Sequence, residues 1–292
     1  MTTSYLVMGV QSLMKVISEL APEAIEPVDE RALFESGESL AIDVTIVIHR
    51  YMHADPYRPN LAGDIVRKFA PLVARAPSSV FVFDGAPRPE KAATKAKRER
   101  RRNDESAQLA RARERLSDGP PTEEAASLKR LIESLERRCV DPTDEAIESV
   151  RARLESLGWN VEIATHDAEE RVAQLVRSGQ CDAGYTDDSD ALVWGCPTTL
   201  IRVGKARQLS RIRLDRVLDA LDLTHAQFVD ASLLLGTDFT ATTLEGIGPK
   251  RALPLVRRYG SIEGIVKAHE KHRGRIASGD FDYVAARAIF AC

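Results

Sequence analysis

Between Thr165 and Gly195 the chain reads THDAEERVAQLVRSGQCDAGYTDDSDALVWG, which sets four carboxylates in two close pairs, Asp167 with Glu169 and Asp188 with Asp190. Close carboxylates suit a bound metal, and the rest of the chain supplies a reason to want one. From Arg88 to Arg102 the stretch RPEKAATKAKRERRR carries eight bases against two acids. A second, looser basic set is Arg202, Lys205, Arg207, Arg211, Arg213 and Arg216. Acid clusters kept apart from basic stretches fit a polyanion held against a metal. Each piece also has a plainer reading. Asp167 with Glu170 is a D-x-x-E capping box, worth roughly 1 kcal/mol. Asp187 to Asp190 reads as a solvated turn, and an isolated basic run as a solvated helix face or a localisation signal.

The elements that must position these groups come from periodicity. Val172, Leu175 and Val176 mark one face of a short helix that Gly179 ends. Cys181 to Tyr185 then forms a strand. If Asp188 and Asp190 continue it as extended chain, the period of two puts both carboxylates on one side, past the strand's carboxyl end. That edge is where open α/β sheets place their sites. Upstream, Ser39 to Ile42 is an apolar strand delivering Asp43, and Val44 to Met52 continues as a helix. Ile65, Val66, Phe69, Leu72 and Val73 mark another helix, closed by Pro77. Ser79 to Phe83 is a strand apolar on both faces, as in a covered parallel sheet, and delivers Asp84 and Gly85. Two strands ending in Asp, added to the two acidic pairs, predict convergence at one sheet edge.

Thr143 to Leu157 reads as an amphipathic helix capped by Gly158, Thr198 to Val203 as a strand, and Leu214 to Leu221 as a helix. Thr224 caps a helix that runs to Leu235. At Gly246-Ile247-Gly248-Pro249-Lys250 the glycines let backbone amides approach phosphate, and Pro249 fits a helix's first turn. An ordinary helix-helix turn is the alternative reading.

At 292 residues and 43% hydrophobic, the chain has ample core for one large domain or two. No run approaches the 18 or so apolar residues of a membrane span, and Met1 to Val7 lacks the pattern of a signal peptide. Cys139, Cys181, Cys196 and Cys292 are scattered with no C-x-x-C, so neither a disulfide framework nor a zinc site is indicated. A reducing, intracellular compartment fits. The net charge of −3 would not by itself suggest a nucleic-acid binder.

MGVQSLMKVI (Met8 to Ile17), AIDVTIVIHRY around Asp43, VFDGAPRPEK around Asp84, the DAEERVA and TDDSDAL stretches, and LLLGTDFTATTLEGIGPKRA (Leu233 to Ala252) occur in one order. This ordered set resembles the flap endonuclease branch of the structure-specific 5′ nucleases, of xeroderma pigmentosum G type. The resemblance implies an α/β fold. A PIN-like nuclease core with a twisted, mostly parallel sheet would span residues 1–222, with a helical arch at about 88–142. A C-terminal helical region, 223–292, would hold a helix-hairpin-helix-type (helix-two-turn-helix) DNA-binding element.

Position by position, the resemblance makes Asp43, Asp84, Asp167, Glu169, Asp188, Asp190 and Asp238 the metal-binding acids, holding two Mg²⁺ ions for which Mn²⁺ can substitute. Seven carboxylates without metal repel one another, so order in the site is expected to depend on cations. Lys91 and Arg98 fall on the family's catalytic basic pair at the base of the arch, seven residues apart and so on one helix face. The arch is expected from Asn103 to Arg138, broken at Asp118-Gly119-Pro120-Pro121, and mobile because its two arms bury little. His49, Gly246, Gly248, Lys250 and Arg251 fall on DNA-binding positions, with Arg257 and Arg258 in support. The implied activity is 5′ endonuclease and exonuclease cleavage of branched or flapped DNA in replication and repair, by a monomer, in the nucleus of a eukaryote. A junction resolvase, an RNA-directed nuclease and a non-catalytic binder of branched DNA are the alternatives.

Four departures stand out. Asp167 replaces the family's Glu and shortens its reach by one methylene. The family begins at the Met-Gly pair, here Met8-Gly9. His49 stands where the family has a stacking Tyr; imidazole can stack, and a core histidine is the other reading. The sequence stops at Cys292 with no sliding-clamp motif.

Overall fold

The computed structural model describes residues 10, 12–204, 206–240, 242–269 and 281–291; the Met8-Gly9 pair, Lys205 and Cys292 lie outside them. Its strands are β1 (Ile25–Pro27), β2 (Leu40–Asp43), β3 (Val80–Phe83), β4 (Asn160–Ile163), β5 (Ala183–Tyr185), β6 (Thr198–Val203) and β7 (Gln208–Arg213). They form one sheet in the order β1-β7-β6-β5-β2-β3-β4. The five from β6 to β4 run parallel, and β7 and β1 add an antiparallel edge. Every residue of β2 and β3 is buried, as their apolar runs require of strands covered on both faces.

Four strands fall where hydrophobicity predicts them, and β1, β4 and β7 are additions to that expectation. β1 and β4 are sheet edges and only partly buried, and β7 alternates as QLSRIR, so none shows an apolar run. The looser basic set spans β6, β7 and the first turn of the helix after β7, and much of it is engaged within the fold. Arg202 reaches Glu30 at 2.6 Å, Arg207 reaches Asp187 at 2.8 Å and Arg211 reaches Glu38 at 2.5 Å, while Arg216 pairs with Glu26.

The helices in the first half are α1 (Leu13–Leu20), α2 (Glu30–Glu35), α3 (Val44–Ala54), α4 (Leu61–Arg75), α5 (Ala92–Ser117), α6 (Thr122–Cys139) and α7 (Asp144–Ser156). Those in the second are α8 (Ala168–Arg177), α9 (Asp190–Val193), α10 (Leu214–Leu221), α11 (His225–Leu235), α12 (Pro249–Tyr259), α13 (Ile262–Ala268) and α14 (Tyr283–Phe290). Helices α2, α3, α4 and α7 cover one face of the sheet, where Phe34, Phe69, Phe81 and Tyr185 pack ring against ring. In α4 the buried residues Ile65, Phe69 and Leu72 keep the helical spacing, and the Asn60 side chain caps it by accepting from the Gly63 amide. The other face is shared by α1 and α8 to α14 in one continuous apolar cluster. None of the described helices is long and apolar enough to cross a membrane.

Helices α5 and α6 pack on each other, with Ala112 and Leu135 their buried residues, and α6 also meets α3, where the Arg137 carbonyl and the His53 ring are hydrogen-bonded. The break between them falls at residues 118–121 as expected, with Gly119 at φ +69°. Ion pairs join the arms where apolar contact is sparse: Arg113 to Glu136 at 2.6 Å and Arg115 to Glu124 at 2.9 Å.

The C-terminal helices are tied together by one buried acid. Asp230 on α11 accepts the Ile262 amide at the start of α13 (3.0 Å) and both Nε and Nη2 of Arg287 on α14 (2.7 and 2.9 Å). Arg287 also forks onto Glu263 at 2.7 and 3.0 Å. Replacing Arg287 by alanine leaves Asp230 buried without its countercharge. Thermal unfolding of Arg287→Ala should show a loss of about 2 kcal/mol, a partial figure because the guanidinium is half in solvent. An unchanged melting temperature would show that Asp230 is satisfied without it.

Candidate active site

Strand order decides where the acids meet. Asp43 ends β2, Asp84 comes just after β3, Asp167 after β4 and Asp188 after β5. Because β5, β2, β3 and β4 are parallel neighbours, their carboxyl ends form one continuous edge. Glu169 sits in the first turn of α8, Asp190 opens α9, and Asp238 lies beyond the end of α11. The strand ends that deliver Asp43, Asp84, Asp167 and Asp188 thus share one sheet edge, as the strands ending in Asp predict.

Two local expectations need correction. Asp188 and Asp190 are not extended chain: Ser189 is α-helical and α9 starts at Asp190. Asp188 instead folds back, its Oδ1 accepting the Asp190 amide at 2.8 Å while its own amide donates to Thr186 Oγ1 at 3.0 Å. Nor do Asp167 and Glu170 form a capping box, since the Asp167 side chain makes no cap hydrogen bond. Asp84 does the capping from another loop, its Oδ1 accepting the Ala168 amide at 2.8 Å. That places an anion at the positive end of α8.

Cations from the base of the arch occupy the spaces between the acids. Lys91 Nζ lies 2.7 Å from Asp167 Oδ1 and 3.1 Å from Glu169 Oε1, and 4.9 Å from the centre of the Phe239 ring. Arg98 Nη2 lies 2.8 and 2.7 Å from the two oxygens of Asp238. Lys91 ends a 3₁₀ turn and is the N-cap of α5, with Arg98 seven residues on inside the helix; each reaches different acids.

Burial, more than mutual repulsion, sets the acidities here. It raises Asp43 to about 7, with the Asp84 charge adding to it. It raises Glu169 to about 8 against the pull of Lys91, and Asp190 to about 7 with help from Asp238. Asp84, exposed at its surface but with its carboxyl buried against the Asp167 charge, rises too, and Asp188 rises well above its ordinary value. Burial lowers the Lys91 ammonium, but Glu169 and Asp167 more than offset this and hold it above its ordinary value.

These residues fit a divalent cation. All seven are oxygen donors, and several are buried where carrying negative charge is costly. Neither oxygen of Asp190, which is 1% exposed, makes a hydrogen bond of normal geometry among the described residues, although the Val10 amide acts weakly on it. A buried carboxylate left so has both oxygens available to a cation. As the side chains stand, no group of three His, Cys, Asp or Glu among the described residues gathers on one point, and Lys91 and Arg98 supply the positive charge.

Of the other expected residues, His49 lies half-buried in α3, its ring 6.2 Å from that of His53 at 22°. Burial lowers its pKa to about 4, against the pull of Asp141, so it is neutral at physiological pH. Gly246 takes φ +76°, and Gly248 caps α12, so the turn presents the helix N-terminus. Lys250 and Arg251 are exposed there, Arg251 Nη1 donating to the Gly246 carbonyl at 3.2 Å.

Sequence reasoning misses four contributors: Arg88, Thr45, Thr186 and Trp194. Thr45 Oγ1 accepts the Asp84 amide at 3.0 Å, and Thr186 Oγ1 donates to Asp43 Oδ2 at 2.9 Å. No local signal marks these two threonines, because each acts on an acid from another strand, and Trp194 acts only through Arg88. Gly85 stands in the sequence only as the neighbour of Asp84, yet the fold requires it. A Cβ there would lie 1.9 Å from the Ala164 carbonyl oxygen, where the loop after β3 meets the loop after β4. The contact carries the Gly85 amide's bond to the His166 carbonyl at 2.7 Å. Gly85→Ala should push Asp84 and Asp167 apart and lower cleavage about 10²-fold, since a misplacement near 1 Å costs that much. Wild-type rates in that variant would show that the loops part freely.

Two family models match the chain: the XPG N-terminal domain over residues 8–105 and the XPG I-region over 158–238. Flap endonuclease 1 of Xenopus tropicalis is 33% identical over 275 residues, covering 89% of this chain and 68% of that protein. The catalytic core of Rad2 in complex with DNA substrate shares the fold, with a TM-score of 0.64 at 20% identity over 97% of this chain and 79% of that one. So does the Holliday junction-resolving enzyme GEN1, solved with product DNA and a Mg²⁺ ion. There the TM-score is 0.52 at 19% identity, over 91% of this chain and 57% of that one. The matched regions bracket the arch and contain all seven acids with Lys91 and Arg98, and on this footing the chain belongs to the XPG family of nucleases, beside flap endonuclease 1.

Proposed function

We propose that this chain is a Mg²⁺-dependent, structure-specific 5′ nuclease that binds branched or flapped DNA and hydrolyses a phosphodiester where single strand meets duplex. The observation that carries this is the pairing of cations from the base of the arch with the acids: Lys91 with Asp167 and Glu169 after β4, and Arg98 with Asp238 beyond α11. A module that only bound DNA would have no use for buried acids and cations in contact. Asp43, Asp84, Asp167, Glu169, Asp188, Asp190 and Asp238 would hold two Mg²⁺ ions, with Mn²⁺ able to substitute. Such ions, when bound, make water a nucleophile at neutral pH and stabilise the departing oxygen.

The chain's own residues do the rest. Lys91 and Arg98 hold the scissile phosphate and stabilise the charge that develops on it. His49 stacks beneath a base. The Gly246 to Gly248 turn, Lys250 and Arg251, in residues 223–292, grip the duplex backbone away from the nuclease core in 1–222. Contacts of that kind position the substrate without reading its sequence.

The test is a panel of labelled flap, nick, gap and four-way junction substrates, with and without Mg²⁺. Mg²⁺-dependent cutting near the junction of a 5′ flap is expected, with affinity falling steeply as salt rises and hardly changing when the bases are shuffled. Blocking the flap's 5′ end with a bulky conjugate before adding enzyme should suppress cutting, because the arch admits a free end. Preferred cutting of four-way junctions with indifference to the block would favour a resolvase. No cutting of any substrate would sink the enzyme reading.

A further inference from the structure

We infer that Arg88 is a positioning residue for Asp167, holding its short carboxylate toward the acidic centre. The inference rests on the metal-dependent reading above. Arg88 Nε donates to Asp167 Oδ2 at 2.7 Å, and its Nη2 pairs with Glu170 in the first turn of α8. Its guanidinium carbon lies 5.4 Å from the centre of the Trp194 ring, which is fully buried just past α9. One side chain therefore joins three elements that carry acids: the segment leaving β3 with Asp84, the start of α8 with Asp167 and Glu169, and α9 with Asp190. With 13% of its side chain exposed, Arg88 has little surface left to meet substrate.

The division of labour on Asp167 comes from its two oxygens. Oδ1 is turned to Lys91, which also holds Glu169 and so marks the side of the centre. Oδ2 is taken by Arg88. An aspartate is one methylene shorter than a glutamate, so it reaches the centre only from a fixed backbone and in a fixed rotamer. Arg88 supplies both restraints: its planar fork grips the Asp167 and Glu170 carboxylates together, and the Trp194 face holds the fork. Groups that orient a metal-binding carboxylate typically change metal affinity or activity by about 10- to 100-fold when removed.

Calorimetric titration of the whole protein with Mg²⁺, without DNA, tests this beside single-turnover cleavage across the same Mg²⁺ range. Arg88→Ala should weaken Mg²⁺ binding by about 10- to 100-fold. Its cleavage rate should return toward wild type at saturating Mg²⁺. Glu170→Gln, which loosens the fork without touching Asp167, should shift affinity the same way by less, and decides the matter if Arg88→Ala does not fold. In the Asp167→Glu background the longer side chain reaches without help, so adding Arg88→Ala should cost far less. Unchanged Mg²⁺ affinity in Arg88→Ala, an equal loss in both backgrounds, or a rate lowered at every Mg²⁺ concentration with affinity intact would each overturn the proposal. If wild type cuts no DNA, the nuclease reading fails, while the calorimetric comparison still decides the role of Arg88.

Discussion

Lys91→Ala is expected to lower the single-turnover rate on a double-flap substrate by about 10²-fold or more, with DNA affinity in Ca²⁺ little changed. Lys91 is part-buried, held by Asp167 and Glu169 and backed by the Phe239 ring, so its charge is fixed before substrate arrives. A cation preorganised in this way is worth most where charge develops, which is the transition state. The same geometry predicts an effect without DNA. Removing the ammonium leaves Glu169 without its ion-pair partner and Asp167 with Arg88 alone, so the variant should melt lower in EDTA and gain more from Mg²⁺ than wild type does. Excess Mg²⁺ should not restore the rate, because the lost group is not a metal ligand. Wild-type cleavage by Lys91→Ala would remove this residue from the chemistry. Loss of DNA binding along with cleavage would make it a substrate anchor.

Asp188→Asn is expected to be the more severe substitution, about 10³-fold in rate, on the footing that a ligand to a catalytic ion is worth several kcal/mol. The asparagine carbonyl can still accept the Asp190 amide, as Asp188 Oδ1 does now at 2.8 Å, so the turn into α9 should survive. What goes is a charge buried beside Asp190 and Glu169. Burial raises the Asp188 pKa in the folded chain, so this carboxyl favours the unfolded state increasingly as pH rises through its unfolded value. At neutral pH in EDTA, Asp188→Asn should therefore melt higher than wild type while failing to cut. DNA binding should persist and even tighten, with less repulsion between acids and phosphate. High Mg²⁺ should restore part of the rate here and none of it in Lys91→Ala, which separates a ligand from a fixed cation. A variant that melts lower and cuts normally would show that Asp188 holds the fold instead.

Much of this protein is legible in its sequence because the responsible forces are local. The unbroken apolar runs ending in Asp43 and Asp84 mark strands covered on both faces. The spacing of Ile65, Phe69 and Leu72 marks a helix with one buried side. Gly158 and Gly179 end helices at positive φ, Thr224 caps α11, and the arch breaks at residues 118–121. Each of these depends on neighbours within a few residues. Partners far apart in the chain are another matter, since strand order sets them and no period records it. Asp84 caps α8 across 84 residues, Thr186 holds Asp43 across 143, and Arg88 grips Asp167 across 79. The edge strands β1 and β4, which carry no apolar run, exist because a neighbouring backbone satisfies them, and much of the arginine set of β6, β7 and α10 is neutralised by acids brought in from α2, β1 and the segment before β2. The seven acids and their two cations are named as a set in the sequence only through the family resemblance. Which acid Lys91 and Arg98 each meet, and that Arg88 holds Asp167 in place, depends on side chains meeting across the sheet edge, which only the folded chain decides.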